Sequence, residues 1–203
     1  MNRRTFLYFG GKLTLVSVAA FNFGCSIQPM IVEGDKIAII YGTRYGATRD
    51  TAEWIAAGTG KKIDLLDIET LDFEQTVKEY DAFIVGSGIW IDGPHKRLIE
   101  LLQTHKESMQ EKIIAAFIVC GTTGEDEAGE KRIVGYFERF YKPLDVKPPR
   151  QAYFGGRMTI DRLSETDRKL LEHFYKKVLK KPFVSWDRTE PESAKSFGVE
   201  VVS

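Results

Sequence analysis

Three Gly- and Thr-rich segments hold the residues of this chain whose types and spacing could do chemistry. The first, Gly42-Thr43-Arg44-Tyr45-Gly46-Ala47-Thr48, ends an apolar run and opens a helical one. Free backbone N–H groups and the dipole at such a helix start favour a phosphate. The turn lacks the Gly-Lys-Ser/Thr ending of a nucleotide P-loop and the Gly-x-Gly-x-x-Gly of a dinucleotide site, so a terminal phosphate monoester is the form it suits. Read alone, it is equally the mark of a capped turn. The second segment, Gly86-Ser87-Gly88-Ile89-Trp90-Ile91-Asp92-Gly93-Pro94, sets three large apolar residues in a loop. Their exposure at the top of a sheet makes sense against a flat ligand, while packing of Trp90 on a neighbouring loop is the plainer use of an aromatic. The third, Cys120-Gly121-Thr122-Thr123-Gly124, supplies small residues that let backbone approach a ligand edge.

Short β-branched runs precede these loops and predict strands over residues 37–41, 63–66, 82–85, 113–119 and, more weakly, 151–154. Helical spacing fills the gaps. Residues 47–57 carry Ala52, Ile55 and Ala56; residues 94–104 begin with Pro94 and carry Leu98, Ile99, Leu101 and Leu102. Residues 125–141 offer Ile133, Val134, Phe137, Phe140 and Tyr141. Ser164-Glu165-Thr166-Asp167 reads as a capped start, acid in the first turn, for a helix running to Lys180. Strands apolar almost without alternation are buried on both faces, and helical crossovers make the sheet parallel. Five strands and five helices follow. Ligands of such sheets sit outside the carboxyl ends of the strands, where the three loops lie.

Thr-x-x-Gly-x-Thr after the first strand, Gly-Ser-x-Ile-Trp after the third and a Gly-rich turn after the fourth resemble the flavodoxin superfamily of FMN-binding proteins. More narrowly, Tyr41 to Thr48, and Phe154-Gly155-Gly156-Arg157-Met158 followed by Leu163-Ser164, look like the flavodoxin-domain group that includes the menaquinone-dependent protoporphyrinogen dehydrogenases. The resemblance covers residues 36–182. It implies a three-layer α/β sandwich around a five-stranded parallel sheet in the order 2-1-3-4-5. It implies that Thr43, Arg44, Tyr45, Gly46, Ala47 and Thr48 wrap the FMN phosphate. Ser87, Gly88, Ile89 and Trp90 would line one side of the isoalloxazine, Trp90 as the flanking aromatic, and Cys120, Gly121, Thr122, Thr123 and Gly124 would border the other. Arg44 departs from the neutral phosphate loop of simple flavodoxins. It is open to pairing with the phosphate, with an acidic substrate group, or with water. Residues 183–203 read as a polar tail and receive no role.

The first 25 residues read as an address. Arg3, Arg4 and Lys12 precede an uncharged run of 12 residues, 13–24. As a helix that run rises about 18 Å, well short of a bilayer core of about 30 Å. Basic start, short apolar core and small residues near the end make an export signal. Arg3-Arg4 followed by Thr5-Phe6-Leu7 resembles the twin-arginine type, which implies the corresponding export machinery as a partner and a periplasmic or outer-face location. Cys25 is a candidate for lipidation, which together with a retained signal offers two routes to membrane association. Residues 26–35 read as a linker.

Composition narrows the function classes. The 203 residues carry 29 Lys+Arg against 29 Asp+Glu, so no basic surplus points to nucleic acid. Without residues 1–25, which hold three bases and no acid, 26 basic residues face 29 acidic ones. Two cysteines make no disulfide scaffold, and three scattered histidines with no Cys-x-x-Cys give no zinc spacing. Gly86-Ser87-Gly88 is not a Gly-x-Ser-x-Gly elbow, and His95 reads as an exposed first-turn residue rather than a base. Cys120 reads as a buried strand-end thiol, Asp92 as a solvated acid or a contact to a ring edge. No side-chain nucleophile is required, because a flavin performs the redox chemistry itself. The expectation is an exported FMN-dependent oxidoreductase moving hydride or electrons from a reduced donor, with protoporphyrinogen the candidate, to a quinone-like or protein acceptor. A flavodoxin-type electron carrier and a flavin-free binding module are the alternatives.

Overall fold

The computed structural model describes residues 35–91, 93–145 and 147–203. The signal reading of residues 1–25, most of the linker and the Asp92 reading lie outside them.

Five strands, β1 (Ile37–Gly42), β2 (Asp64–Asp67), β3 (Ala82–Gly88), β4 (Ile113–Cys120) and β5 (Arg150–Gly155), form one parallel sheet in the order β2-β1-β3-β4-β5. The expected order is observed. Every residue of β1 and β4 is buried, and successive residues serve opposite layers. Ala38 and Ile40 join Leu98, Leu102, Ile133, Phe137 and Phe140 on one face; Ile37, Ile39 and Tyr41 join Ala52, Ile55, Phe154 and Phe197 on the other. Two apolar layers explain why these runs do not alternate.

The first face is covered by α3 (Lys96–Thr104) and α5 (Glu127–Tyr141), with α2 (Phe73–Glu79) and α4 (Lys106–Gln110) at its edge. Side chains cap two of these helices: Asp72 accepts from the Gln75 N–H and Asp126 from the Gly129 N–H. The second face is covered by α1 (Ala47–Thr59) and α7 (Pro191–Val202). Between β5 and α7 run β6 (Arg157–Met158), a 3-10 turn (Ile160–Arg162), α6 (Glu165–His173), a π-helical continuation (Phe174–Leu179) and β7 (Trp186–Asp187), which pairs antiparallel with β6. The helix expected to reach Lys180 does so, but winds more widely over its last six residues; Lys180 ends it at φ 52°, and its N–H and that of Lys181 return to the Tyr175 carbonyl.

The expected polar tail is corrected. Residues 183–203 form a strand and a helix integral to the domain. Ala194, Phe197 and Val201 are buried beside β5 and α1, each large apolar side chain contributing about 1.5–3 kcal/mol. The contact is close. A Cβ on Gly198 would lie 2.1 Å from the Ile55 carbonyl oxygen, and one on Gly58 would lie 2.0 Å from that of Lys195. Small residues on both helices let their backbones meet, so α7 is the second cover of this face and the domain continues past residue 182.

Candidate functional site

A cleft of about 1120 Å³ opens at the carboxyl ends of β1, β3 and β4, where the strand order reverses between β1 and β3. Its lining includes Thr43, Arg44, Tyr45, Ala47 and Thr48 from the first loop, Gly88, Ile89 and Trp90 from the second, and Cys120, Gly121, Thr122 and Thr123 from the third. The sheet thus gathers twelve of the fifteen expected residues into one space.

Gly46, Ser87 and Gly124 are not part of that lining. Gly46 stands at the N-cap of α1 with φ 88°, a left-handed conformation that suits glycine, and its N–H donates to the Thr43 hydroxyl at 3.0 Å. It shapes the turn. Ser87 is wholly buried; its hydroxyl accepts the His95 N–H at 2.8 Å and donates to the Gly88 carbonyl, tying the second loop to the start of α3. That tether engages the Ser87 hydroxyl outside the cleft lining. Cys120 is a buried free thiol, its pKa pushed up to about 11 chiefly by burial, while a backbone hydrogen bond with Thr122 pulls the other way. His95 is half-buried rather than exposed, with Nδ1 buried and unpartnered and Nε2 3.4 Å from Glu69.

Arg44 is held by the protein itself. Its Nε donates to Asp167 Oδ2 at 2.8 Å and its Nη2 to Oδ1, while the Tyr45 hydroxyl donates to Oδ2. The Tyr45 oxygen also accepts the Ser164 N–H at 3.1 Å. Burial pushes the Asp167 carboxyl upward, but the hydrogen bonds from Tyr45 and Arg44 and the guanidinium charge outweigh it and hold the pKa below its ordinary value. The same guanidinium lies 4.5 Å from the Trp90 ring centroid, and the Tyr45 ring 5.8 Å from it. Trp90 therefore stacks on the chain's own cation, with its indole nitrogen buried and unpartnered.

Residues 38–184 match the flavodoxin-domain family. The chain belongs to that family. Among curated proteins nothing matches it. Among solved structures the fold is similar to a flavodiiron core from Synechocystis sp. (14% identity, 87% of this chain, 36% of that one, TM-score 0.47). It is similar to a flavodoxin, WrbA-like protein from Agrobacterium tumefaciens (17%, 83%, 96%, TM-score 0.45). It is also similar to a flavodiiron protein from Giardia intestinalis (15%, 86%, 36%, TM-score 0.49). The chain spans about a third of the length of the two flavodiiron chains.

In this flavodoxin-domain protein two cleft residues, Trp186 and Arg188, come from residues 183–203, the stretch whose sequence reads as a polar tail. Trp186 on β7 borders the third loop: a Cβ on Gly121 would come within 2.9 Å of its ring. Its Nε1 donates to the Tyr175 hydroxyl at 2.7 Å, and the Arg188 guanidinium covers its ring at 5.0 Å while Nη1 donates to the Gly121 carbonyl. Arg157 on β6 pairs with Asp50 in the first turn of α1 at 2.6 Å. The sequence signal available for Trp186 was an aromatic amid polar residues, which does not by itself announce a cleft.

These residues fit a flavin mononucleotide at two places. The amino terminus of α1 has no side-chain cap, and Thr43, Ala47 and Thr48 around it line the cleft; first-turn N–H groups without intrahelical partners, beside two hydroxyls, are a donor set for a phosphate. Trp90 and Trp186, with the Gly121 turn between elements, give the same cleft aromatic walls.

Proposed function

We propose that the chain is an exported FMN-binding redox protein passing hydride or electrons between a reduced donor and a quinone-like or protein acceptor. The observation that carries this reading is the uncapped start of α1 opening into the cleft at the switch point of the sheet. Bound FMN supplies the electron and hydride chemistry. The chain's own residues do the rest. The α1 N–H groups with Thr43 and Thr48 hold the phosphate; Thr122 and Thr123 offer hydroxyls and backbone to the ring edge, Thr122 being fixed by the Tyr136 hydroxyl at 3.1 Å. Trp90 and Trp186 exclude water from the ring faces, Trp90 once Arg44 gives up its stacked position.

Protoporphyrinogen is the candidate donor, on the resemblance carried by residues 41–48 and 154–158. Arg162 and Lys181 support an acidic substrate: both line the cleft, and neither has a carboxylate partner among the described residues. Export rests on Arg3-Arg4-Thr5-Phe6-Leu7 and the short apolar run behind it. The carrier reading has one observation of its own, Ile91 at the cleft, which leaves 38% of its surface in water where a partner protein could cover it.

The test is reconstitution of the full chain with FMN, followed by its visible spectrum. Bands of bound flavin are expected, and their absence would sink enzyme and carrier alike. Turnover of protoporphyrinogen with a quinone and no added protein then favours the enzyme; reduction without turnover favours the carrier.

A further inference from the structure

The segment that closes the cleft is unlike the rest of the surface. From Arg168 to Lys181 it carries Arg168, Lys169, Lys176, Lys177, Lys180 and Lys181 against the single acid Glu172, on a body where acids outnumber bases. Three ridges run along it at four-residue spacing, the spacing that puts side chains on one helical face. Leu171, Tyr175 and Leu179 line the cleft. Beside them run Leu170, Phe174 and Val178, and of these Leu170 is 47% and Val178 61% exposed. Beside those run Lys169, His173 and Lys177, all in water. Past the Lys180 turn the chain adds Val184, 57% exposed. Lys169 and Lys176 pair with Glu165 and Glu172, but Lys177, Lys180 and Lys181 have no carboxylate partner among the described residues.

We propose that this face, residues 168–184, docks on the surface of an anionic lipid bilayer. An apolar ridge beside a basic one, both exposed, matches the boundary between acyl chains and negatively charged headgroups in both its halves. Among the described residues no helix is long and apolar enough to cross a membrane. Phe174 and Lys181 belong both to this face and to the cleft lining. Docking therefore turns the cleft mouth toward the bilayer, whatever occupies the cleft. The proposal stands on this face alone and does not require the flavin reading.

The full chain is sedimented with vesicles of phosphatidylcholine alone or mixed equally with phosphatidylglycerol. Binding is expected to the mixed vesicles and to fall as salt screens the headgroups. The N-terminal segment is common to every variant, so differences between variants report on this face. Lys177→Glu with Lys180→Asn is expected to weaken partitioning at least about 25-fold, from roughly fivefold per basic residue. Leu170→Ser with Val178→Ser is expected to weaken binding to the mixed vesicles as well. In the unchanged chain, hydrogen exchange over residues 168–184 should slow on vesicle addition. Equal binding of all variants, or no added protection in that segment, overturns the proposal. So does a chain that runs as a dimer and becomes monomeric with Leu170→Ser and Val178→Ser, since the face would then be a contact between copies.

Discussion

Removing the Asp167 carboxylate is the perturbation that most directly probes how the first loop is held. The side chain is 4% exposed and takes three donors, two from Arg44 and one from Tyr45. A hydrogen bond to a charged group is worth about 1.5–3 kcal/mol, but Arg44 is 51% exposed and regains water when released, so its share falls to about 0.5–1 kcal/mol. Asp167→Ala should therefore cost about 2–4 kcal/mol, which for a domain of this size lowers the melting midpoint by about 5–15 °C. Asp167→Asn keeps one acceptor oxygen and should cost about half as much.

The pH dependence has a definite sign. A carboxyl whose folded pKa is depressed stabilises the fold above its unfolded value of about 3.9 and loses that contribution as pH falls through the folded value. The gap in stability between the native chain and Asp167→Asn is thus full at neutral pH and narrows in acid. Thermal unfolding by circular dichroism across that range measures it. A cycle with Tyr45→Phe isolates the shared hydroxyl contact, with a coupling of about 1–2 kcal/mol expected. If Asp167→Ala melts within about 1 °C of the native chain at neutral pH, the clamp contributes nothing and the reasoning from its geometry is wrong.

Gly198→Ala puts a methyl 2.1 Å from the Ile55 carbonyl oxygen and should destabilise by about 1–3 kcal/mol in urea unfolding; an unchanged midpoint would mean that α7 does not sit on α1 as described. In a chain carrying Cys25→Ser, the Cys120 thiol, pushed up to about 11, should be almost wholly protonated near pH 8 and react with Ellman's reagent only after unfolding, so rapid labelling of that folded variant would contradict its buried setting.

Strands and loops were legible in the sequence because their causes are local. Ile37–Gly42 and Ile113–Cys120 are apolar at every position since two helix layers bury them, and the glycines and threonines after β1 and β4 mark where backbone must turn at the sheet edge. Helix α7 was legible too, though its polar composition hid it. Ala194, Phe197, Gly198 and Val201 fall at i, i+3, i+4 and i+7 behind Pro191 at a first-turn position. The two-residue strands β6 and β7 and the Arg44–Asp167 pair, 123 positions apart, have no local cause and could only come from the assembled fold. Ser87 illustrates the limit at the site: its place after β3 was readable, but its hydroxyl could be assigned to a ring or to the His95 N–H only once α3 was in position.

The family match ends at residue 184, yet the physical domain does not. Arg188 donates its N–H to the Gly156 carbonyl, and the Gly155 N–H donates to the Glu190 carboxylate, so the chain after β7 is stitched to the end of β5. From there α7 runs back along α1, the helix whose uncapped start faces the cleft, while Trp186 and Arg188 stand against the Gly121 turn at the other side. One segment thus backs α1 and borders the Gly121 turn on the other side of the same cleft. A chain cut at residue 184 would keep Thr43, Thr48 and the start of α1 but lose both Trp186 at the cleft wall and the helix backing α1. Weak flavin binding by such a fragment would report on those two losses, not on the donor set at the start of α1.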